Sequence, residues 1–255
     1  MLVPAIIGAA TLLLPLAALM TRVNWLSLPE TLRAPETLSA LWLSLLTATI
    51  ATILCLVLGV PLALLISRAE GTLAAILRAL TTLPLVLPPL VGGLALLTLL
   101  GRGGLFGDWL LSIGIRIPFT TPAVIIAQTF VALPFLVISV EGAVRAQDGG
   151  YERAAESLGG KPWTVMRRVT LPLLAPSLVA GAILSFTRAL GEFGATALFA
   201  GNAEGSTRTI PLAIYTAFNG AGVTQDIALT LSLVLVVVAI VALLFMRSRN
   251  TGVAA

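Results

Sequence analysis

The chain has 255 residues, 58% of them hydrophobic and 10% charged, with a net charge of +4 and a mean hydropathy of +1.06. A soluble domain is about a quarter charged, so this chain cannot cover a water-facing surface and reads as an integral membrane protein. With no His and one Cys (Cys55), an intrachain disulfide is impossible and a Cys/His metal site has too few ligands; no basic stripe with interleaved aromatics points to nucleic acid.

Spans need about 20 mostly apolar residues. The first runs from Leu2 to Met20 and, lacking a positive n-region, reads as an uncleaved span rather than a signal peptide. A polar segment, Thr21 to Glu36, follows. The second span covers Leu38 to Ile66, with Pro61 inside it. After the turn Ser67–Gly71 comes a third span, Leu73 to Leu100. Pro84, Pro88 and Pro89, then Gly92 and Gly93, require that helix to be broken or bent, with its freed carbonyls buried in protein or facing a water-filled cavity. A polar loop, Gly101 to Thr121, leads to the fourth span, Pro122 to Val144. The fifth runs from Leu173 to Ala200, Gly201 to Gly222 is polar, and the sixth runs from Ile227 to Met246. The expected fold is therefore all-α, with six transmembrane helices.

Six spans put both termini on one side. Nine Lys or Arg flank the ends on that side (Arg68, Arg78, Arg145, Arg153, Lys161, Arg167, Arg168, Arg247 and Arg249) against five on the other (Arg22, Arg33, Arg102, Arg116 and Arg208). By the positive-inside rule both termini are cytoplasmic, in a cell membrane.

The stretch from Arg145 to Pro172 is the one long polar interruption, and holds eight of the 26 charged residues, Asp148 among them. Tyr151, Ala154, Ala155 and Leu158 share one helical face, with Glu152, Arg153 and Glu156 mostly off it. Gly159-Gly160 suits a left-handed helix end, and Pro162 suits the first turn of a second short helix whose face is Pro162, Val165, Met166 and Val169. Two short helices at an angle below the membrane are expected. The other reading is a solvated loop between two spans, charged because it meets water, although two consecutive amphipathic helices with a Gly-Gly break are more structured than a connector requires.

Arg153 to Pro172, R-A-A-E-S-L-G-…-V-T-L-P, resembles the cytoplasmic coupling motif of ABC importer permeases: Glu-Ala-Ala, three residues, Gly, nine residues, Ile, any residue, Leu-Pro. Ala154, Ala155, Gly159, Leu171 and Pro172 match in register and Val169 stands for Ile. Arg153 replaces the usual Glu, beside Glu152. The resemblance to type I permeases covers about residues 38 to 246. It implies a first helix and external loop over 1–37, a transporter transmembrane domain over 38–246 with its coupling loop at 145–172, and a short cytoplasmic tail over 247–255. Downstream, R-A-L-G-E-F-G and G-N-…-T-R-T-I-P-L-A-I-Y, together with T-L-P-L-V-L-P-P-L-V-G-G at Thr82 to Gly93, are most similar to permeases for molybdate, within a branch that also imports sulfate.

The resemblance implies a homodimer, two cytoplasmic ATP-binding subunits docked on the coupling stretch, and an external binding protein delivering molybdate, with tungstate as a further candidate. No cofactor is expected in this chain; ATP–Mg would sit in the partner subunits. Gly160-Lys161 lacks the remainder of a phosphate-binding loop, so a non-catalytic subunit is expected. Candidate pathway or gate residues are Pro88, Pro89, Arg188, Glu192, Asn202, Thr207 and Arg208. Arg188 and Glu192, four apart on a helix, suit either a structural ion pair or an outer gate. The outer loop suits either solvation or docking of the binding protein. Rival readings are a sulfate or thiosulfate permease, a self-contained carrier or channel, and a membrane-embedded enzyme.

Overall fold

The computed structural model describes residues 2–147, 149–220 and 225–250. Asp148 and the far end of the expected tail, 251–255, lie outside them. The described residues form helices throughout: α1 (Leu2–Arg22), α2 (Leu28–Arg33), α3 (Pro35–Arg68), α4 (Gly71–Val86), α5 (Pro89–Leu100), α6 (Gly107–Ser112), α7 (Thr121–Ala146), α8 (Gly150–Ser157), α9 (Pro162–Val165), α10 (Leu171–Leu190), α11 (Gly194–Phe199), α12 (Ile210–Phe218) and α13 (Gln225–Asn250).

The core is α3, α7 and α10, and small residues let their backbones approach. Along α3 the buried face reads Ala40, Ser44, Ala48, Ala51, Cys55, Gly59 and Ala63, close to helical period. A Cβ on Gly59 would stand 2.8 Å from Leu136 Cδ2, so glycine lets that leucine lie directly on the α3 backbone. Three threonines of α3 satisfy themselves: Thr47, Thr49 and Thr52 each donate to the carbonyl four residues back, at 2.7 to 2.8 Å.

Contacts along these helices fix their directions. Cys55 lies against Thr129, Gly59 against Leu133 and Leu136, and Arg78 bridges Ile66 to Glu141, so α3 and α7 run parallel. The chain between two parallel neighbours must return across the bilayer. The pair α4 and α5, bent by 115° at Leu87–Pro88, is therefore one broken crossing. α10 runs opposite to α7: Ser139 donates to Ser177 O and Ser185 donates to Ala132 O, both at 3.1 Å. With α1 and α13 as outer members the crossings number six, as the hydropathy reading expects.

Three segments differ from that reading. The fifth crossing ends at Leu190, not Ala200, because the chain breaks at Gly191–Phe193 before the short α11. Within the segment read as polar, Ile210 to Phe218 is helical, and Ile210, Leu212, Ala213, Thr216 and Ala217 are buried; Pro211 stands in its first turn, where proline is tolerated. The second short helix of the polar stretch does not stop before the fifth crossing. α9 passes through a π turn, Met166–Thr170, straight into α10, giving one helical run of 29 residues.

α5 and α11 pack with almost no space between them. A Cβ on Gly93 would lie 2.8 Å from Ala195 O and 2.9 Å from Ala195 Cα, both backbone atoms that cannot swing away. Gly93→Val is expected to destabilise the folded protein by about 1–3 kcal/mol or more, read as a lower unfolding temperature in detergent. Gly142→Ala, within α7 and with nothing within 4 Å of its Cβ, should leave that temperature unchanged or slightly raised.

Candidate functional site

Two regions at opposite ends of α10 carry the candidate residues. At one end, α8 closes with a complete left-handed cap. Gly159, at φ +83°, donates to Glu156 O at 2.9 Å and Gly160 donates to Ala155 O at 3.0 Å. Lys161 then leads into Pro162 at the start of α9. The turn between the helices is thus the one that Gly159-Gly160-Lys161-Pro162 specifies.

This end presents an apolar face to the outside. Tyr151 is 70% exposed, Leu158 90% and Trp163 73%; Ala154 is exposed and Ala155 half-buried. Large apolar groups left open on a two-helix projection mark a contact surface. Glu152 turns inward instead, where its carboxylate accepts a hydrogen bond from Thr170 in the π turn. Glu152 therefore ties α8 to the root of α10, while neighbouring Arg153 is exposed. Val169 and Leu171 are half-buried and Pro172 is exposed at the root of α10, so these three lie apart from the open face of α8.

A charged cluster braces the same end. Glu141 accepts from Arg78 Nε at 2.6 Å and pairs with Arg145 Nε at 3.2 Å, and Arg78 also donates to Ile66 O. The Glu141 carboxylate joins α7 to α4, and the Arg78 guanidinium extends the link back to α3. Arg78 and Arg145 counted in the sequence only as orientation charges and Glu141 went unnoticed, although its spacing of four from Arg145 is the available signal.

At the far end of α10 two helix breaks meet. A Cβ on Gly194 would stand 2.7 Å from Pro89 Cβ, so the break at Leu87–Pro88 abuts the break at Gly191–Phe193. Glu192 is 1% exposed and pairs with Arg188 Nη1 at 2.7 Å; Arg188 remains 28% exposed. The second carboxylate oxygen of Glu192 accepts from Ala195 N at 2.8 Å, capping α11. The Arg188–Glu192 pair is therefore a structural clamp on a break, with its cation partly open. Pro88 and Pro89 are exposed beside it.

The outer-loop candidates join this neighbourhood through α12. The Phe193 and Tyr215 rings lie 5.0 Å apart, centre to centre. Thr216, next to Tyr215, accepts from Asn202 Nδ2 at 2.7 Å, and Asn202 Oδ1 accepts from Arg208 Nε at 3.2 Å. Arg208 also pairs with Glu204, and buried Thr207 accepts from Ala203 N at 2.8 Å. Asn202, Thr207 and Arg208 thus hold the loop's own shape. Phe193 and Tyr215, whose rings make the connection, were not singled out in the sequence.

The described residues thus form a six-crossing bundle with an exposed apolar face on α8 and α9 at one end and a pair of abutting helix breaks at the other. The family model described as binding-protein-dependent transport system inner membrane component matches residues 56–250. The chain belongs to that family. The permease is 51% identical to the molybdenum transport system permease protein ModB of Mycobacterium tuberculosis, over 97% of its own length and 92% of that protein's. It is 38% identical to the sulfate transport system permease protein CysT of Escherichia coli, over 80% and 75%. Its fold matches a bacterial ABC transporter involved in the import of the acidic polysaccharide alginate, with a TM-score of 0.77 at 21% identity, covering 100% of the permease and 95% of that chain.

Removing one partner of a buried pair strands a charge at a cost of about 3–5 kcal/mol. Arg188→Gln in the permease is therefore expected to lower the unfolding temperature strongly, and Arg188→Gln with Glu192→Gln to recover much of that loss. A double variant as unstable as the single one would show that Arg188 is not needed to neutralise Glu192.

Proposed function

We propose that this permease is the non-catalytic transmembrane subunit of an ATP-driven importer of molybdate, working as a homodimer. Two ATP-binding subunits dock from the cytoplasm on the open face of Tyr151, Ala154, Ala155 and Leu158, and hold the ATP–Mg. An external binding protein delivers the anion near the loop of Asn202, Thr207 and Arg208. Both termini are cytoplasmic, on the side where Lys and Arg are in excess. The observation that carries the substrate is the 51% identity to a molybdenum permease across nearly the whole chain. The likeness to a sulfate permease supports sulfate as the second reading.

The physical chain from ATP to anion runs through α10. Closure of the two ATP-binding subunits draws the two α8 projections together. Glu152 and the π turn pass that displacement to the helical run that ends at Arg188. The break that Glu192 clamps, against Pro89 and Gly194, is where a tilt of α10 opens or closes the path. Arg188, the partly exposed cation there, gives an oxyanion a weak attraction without a tight site, so release is not slowed.

Two experiments test this reading. Proteoliposomes holding the permease with its ATP-binding subunit, fed molybdate-loaded binding protein, should accumulate molybdate only with ATP, and tungstate should compete better than sulfate. Transport by the permease alone would overturn the assignment. The second uses Gly159. Its φ of +83° costs any other residue roughly 1–2 kcal/mol, yet a Cβ there meets nothing within 4 Å. Gly159→Ala is expected to keep transport with slightly lower stability. Gly159→Trp adds bulk to the docking face and should lose transport-linked ATP hydrolysis by at least about tenfold. Equal transport in both would remove Gly159 from the docking surface.

A further inference from the structure

The permease carries a cavity of about 610 Å³ well away from α8, between the end of α5, α6 and the stretch that enters α7. It lies at the start of α7, hence at the opposite end of the bundle from the coupling face. Most of its wall is apolar, from Leu97, Leu100, Leu111 and Ile117 among others. Two cations interrupt that wall, Arg102 and Arg116, both exposed. Among the described residues neither guanidinium has an ion pair or side-chain hydrogen bond. The acid nearest in sequence, Asp108, is engaged by Gly103 N at 3.1 Å.

The surroundings place the cavity at a membrane surface. α6 is a single short helix whose neighbourhood leaves Leu105, Phe106, Trp109 and Ile113 exposed, Trp109 at 62%. Apolar side chains with a Trp at the end of a bundle are the pattern of a segment lying in the lipid interface. Phe119, on the cavity wall, is held at φ +62°, a conformation rare outside glycine. Its N–H donates to Phe199 O at 3.2 Å, and its ring packs over Gly201, so the strain is fixed by the fold.

We propose that this cavity binds the phosphate headgroup of an anionic phospholipid, with Arg102 and Arg116 on the phosphate and an acyl chain along the apolar wall. The shared chemistry is a tetrahedral phosphate-like anion, which arginine recognises by paired N–H donors. A free inorganic oxyanion fills only a small part of such a cavity and leaves its apolar wall uncovered. A lipid satisfies both parts. The proposal needs the membrane placement of the chain, but neither its substrate nor its ATP-binding partners.

The test is native mass spectrometry of the full chain, delipidated in mild detergent and titrated with phosphatidylglycerol or phosphatidylethanolamine. The wild type should retain phosphatidylglycerol at levels where phosphatidylethanolamine is lost. R102Q/R116Q should bind phosphatidylglycerol roughly tenfold more weakly, as expected for two interfacial arginines. R116Q alone, which keeps one cation, should fall between them, and serves if the double variant does not fold. Equal phosphatidylglycerol binding by wild type and R116Q, or no preference over phosphatidylethanolamine, would overturn the proposal. So would inorganic phosphate or molybdate binding that depends on these arginines while lipid binding does not.

Discussion

In a hydrocarbon layer, a backbone N–H or C=O that leaves its helix finds no water to bond. Two interruptions in this bundle meet that constraint in different ways. At Leu87–Pro88 the new helix begins at a proline that has no N–H to satisfy, and Val91 donates to Pro88 O at 2.8 Å. At Gly191–Phe193 a side chain supplies the missing acceptor, since Glu192 receives the N–H of Ala195. That carboxylate is tolerated in the interior because Arg188 is beside it. Gly93 and Gly194 then let the two interruptions press against each other. The break in the third crossing, the early end of the fifth and the position of α11 all follow from this meeting.

The three central helices supply the rigid frame around it. Small side chains on α3 bring α7 close enough for Leu136 to sit on Gly59, and Gly181 lets α10 lie against Leu136 and Ser139. Lipid tails are as apolar as leucine, so close fit rather than water exclusion holds such helices together. Glu141, with two arginines, locks the end of that frame nearest α8.

Much of this was legible in the sequence because the signals are local. Apolar runs mark the crossings, Gly159-Gly160 and Pro162 mark the turn between α8 and α9, and a spacing of four marks Arg188 with Glu192. The membership in an importer family rested on the same kind of short-range pattern around Ala154, Ala155 and Gly159. What escaped is of longer range. Pro89 and Gly194 are far apart in sequence and nothing local announces that they touch. Ile210 to Phe218 looked like part of a polar loop because Asn202, Glu204 and Arg208 precede it, yet its own residues are apolar and buried. The continuity of α9 with α10 was hidden because Pro172 suits the first turn of a new helix, so the second short helix and the fifth span read as separate elements.

The unbroken run from Pro162 to Leu190 has a geometric consequence. At 1.5 Å per residue its 29 residues make a rod about 40 Å long. A rod pivoting near its middle by about 5° moves each tip about 2 Å, in opposite directions. That is comparable with the 2.7 Å separating Arg188 from Glu192. A loop at the π turn would have absorbed such a motion within a few bonds. The exposed face at one tip and the ion pair at the other are thus attached to a single continuous helical run.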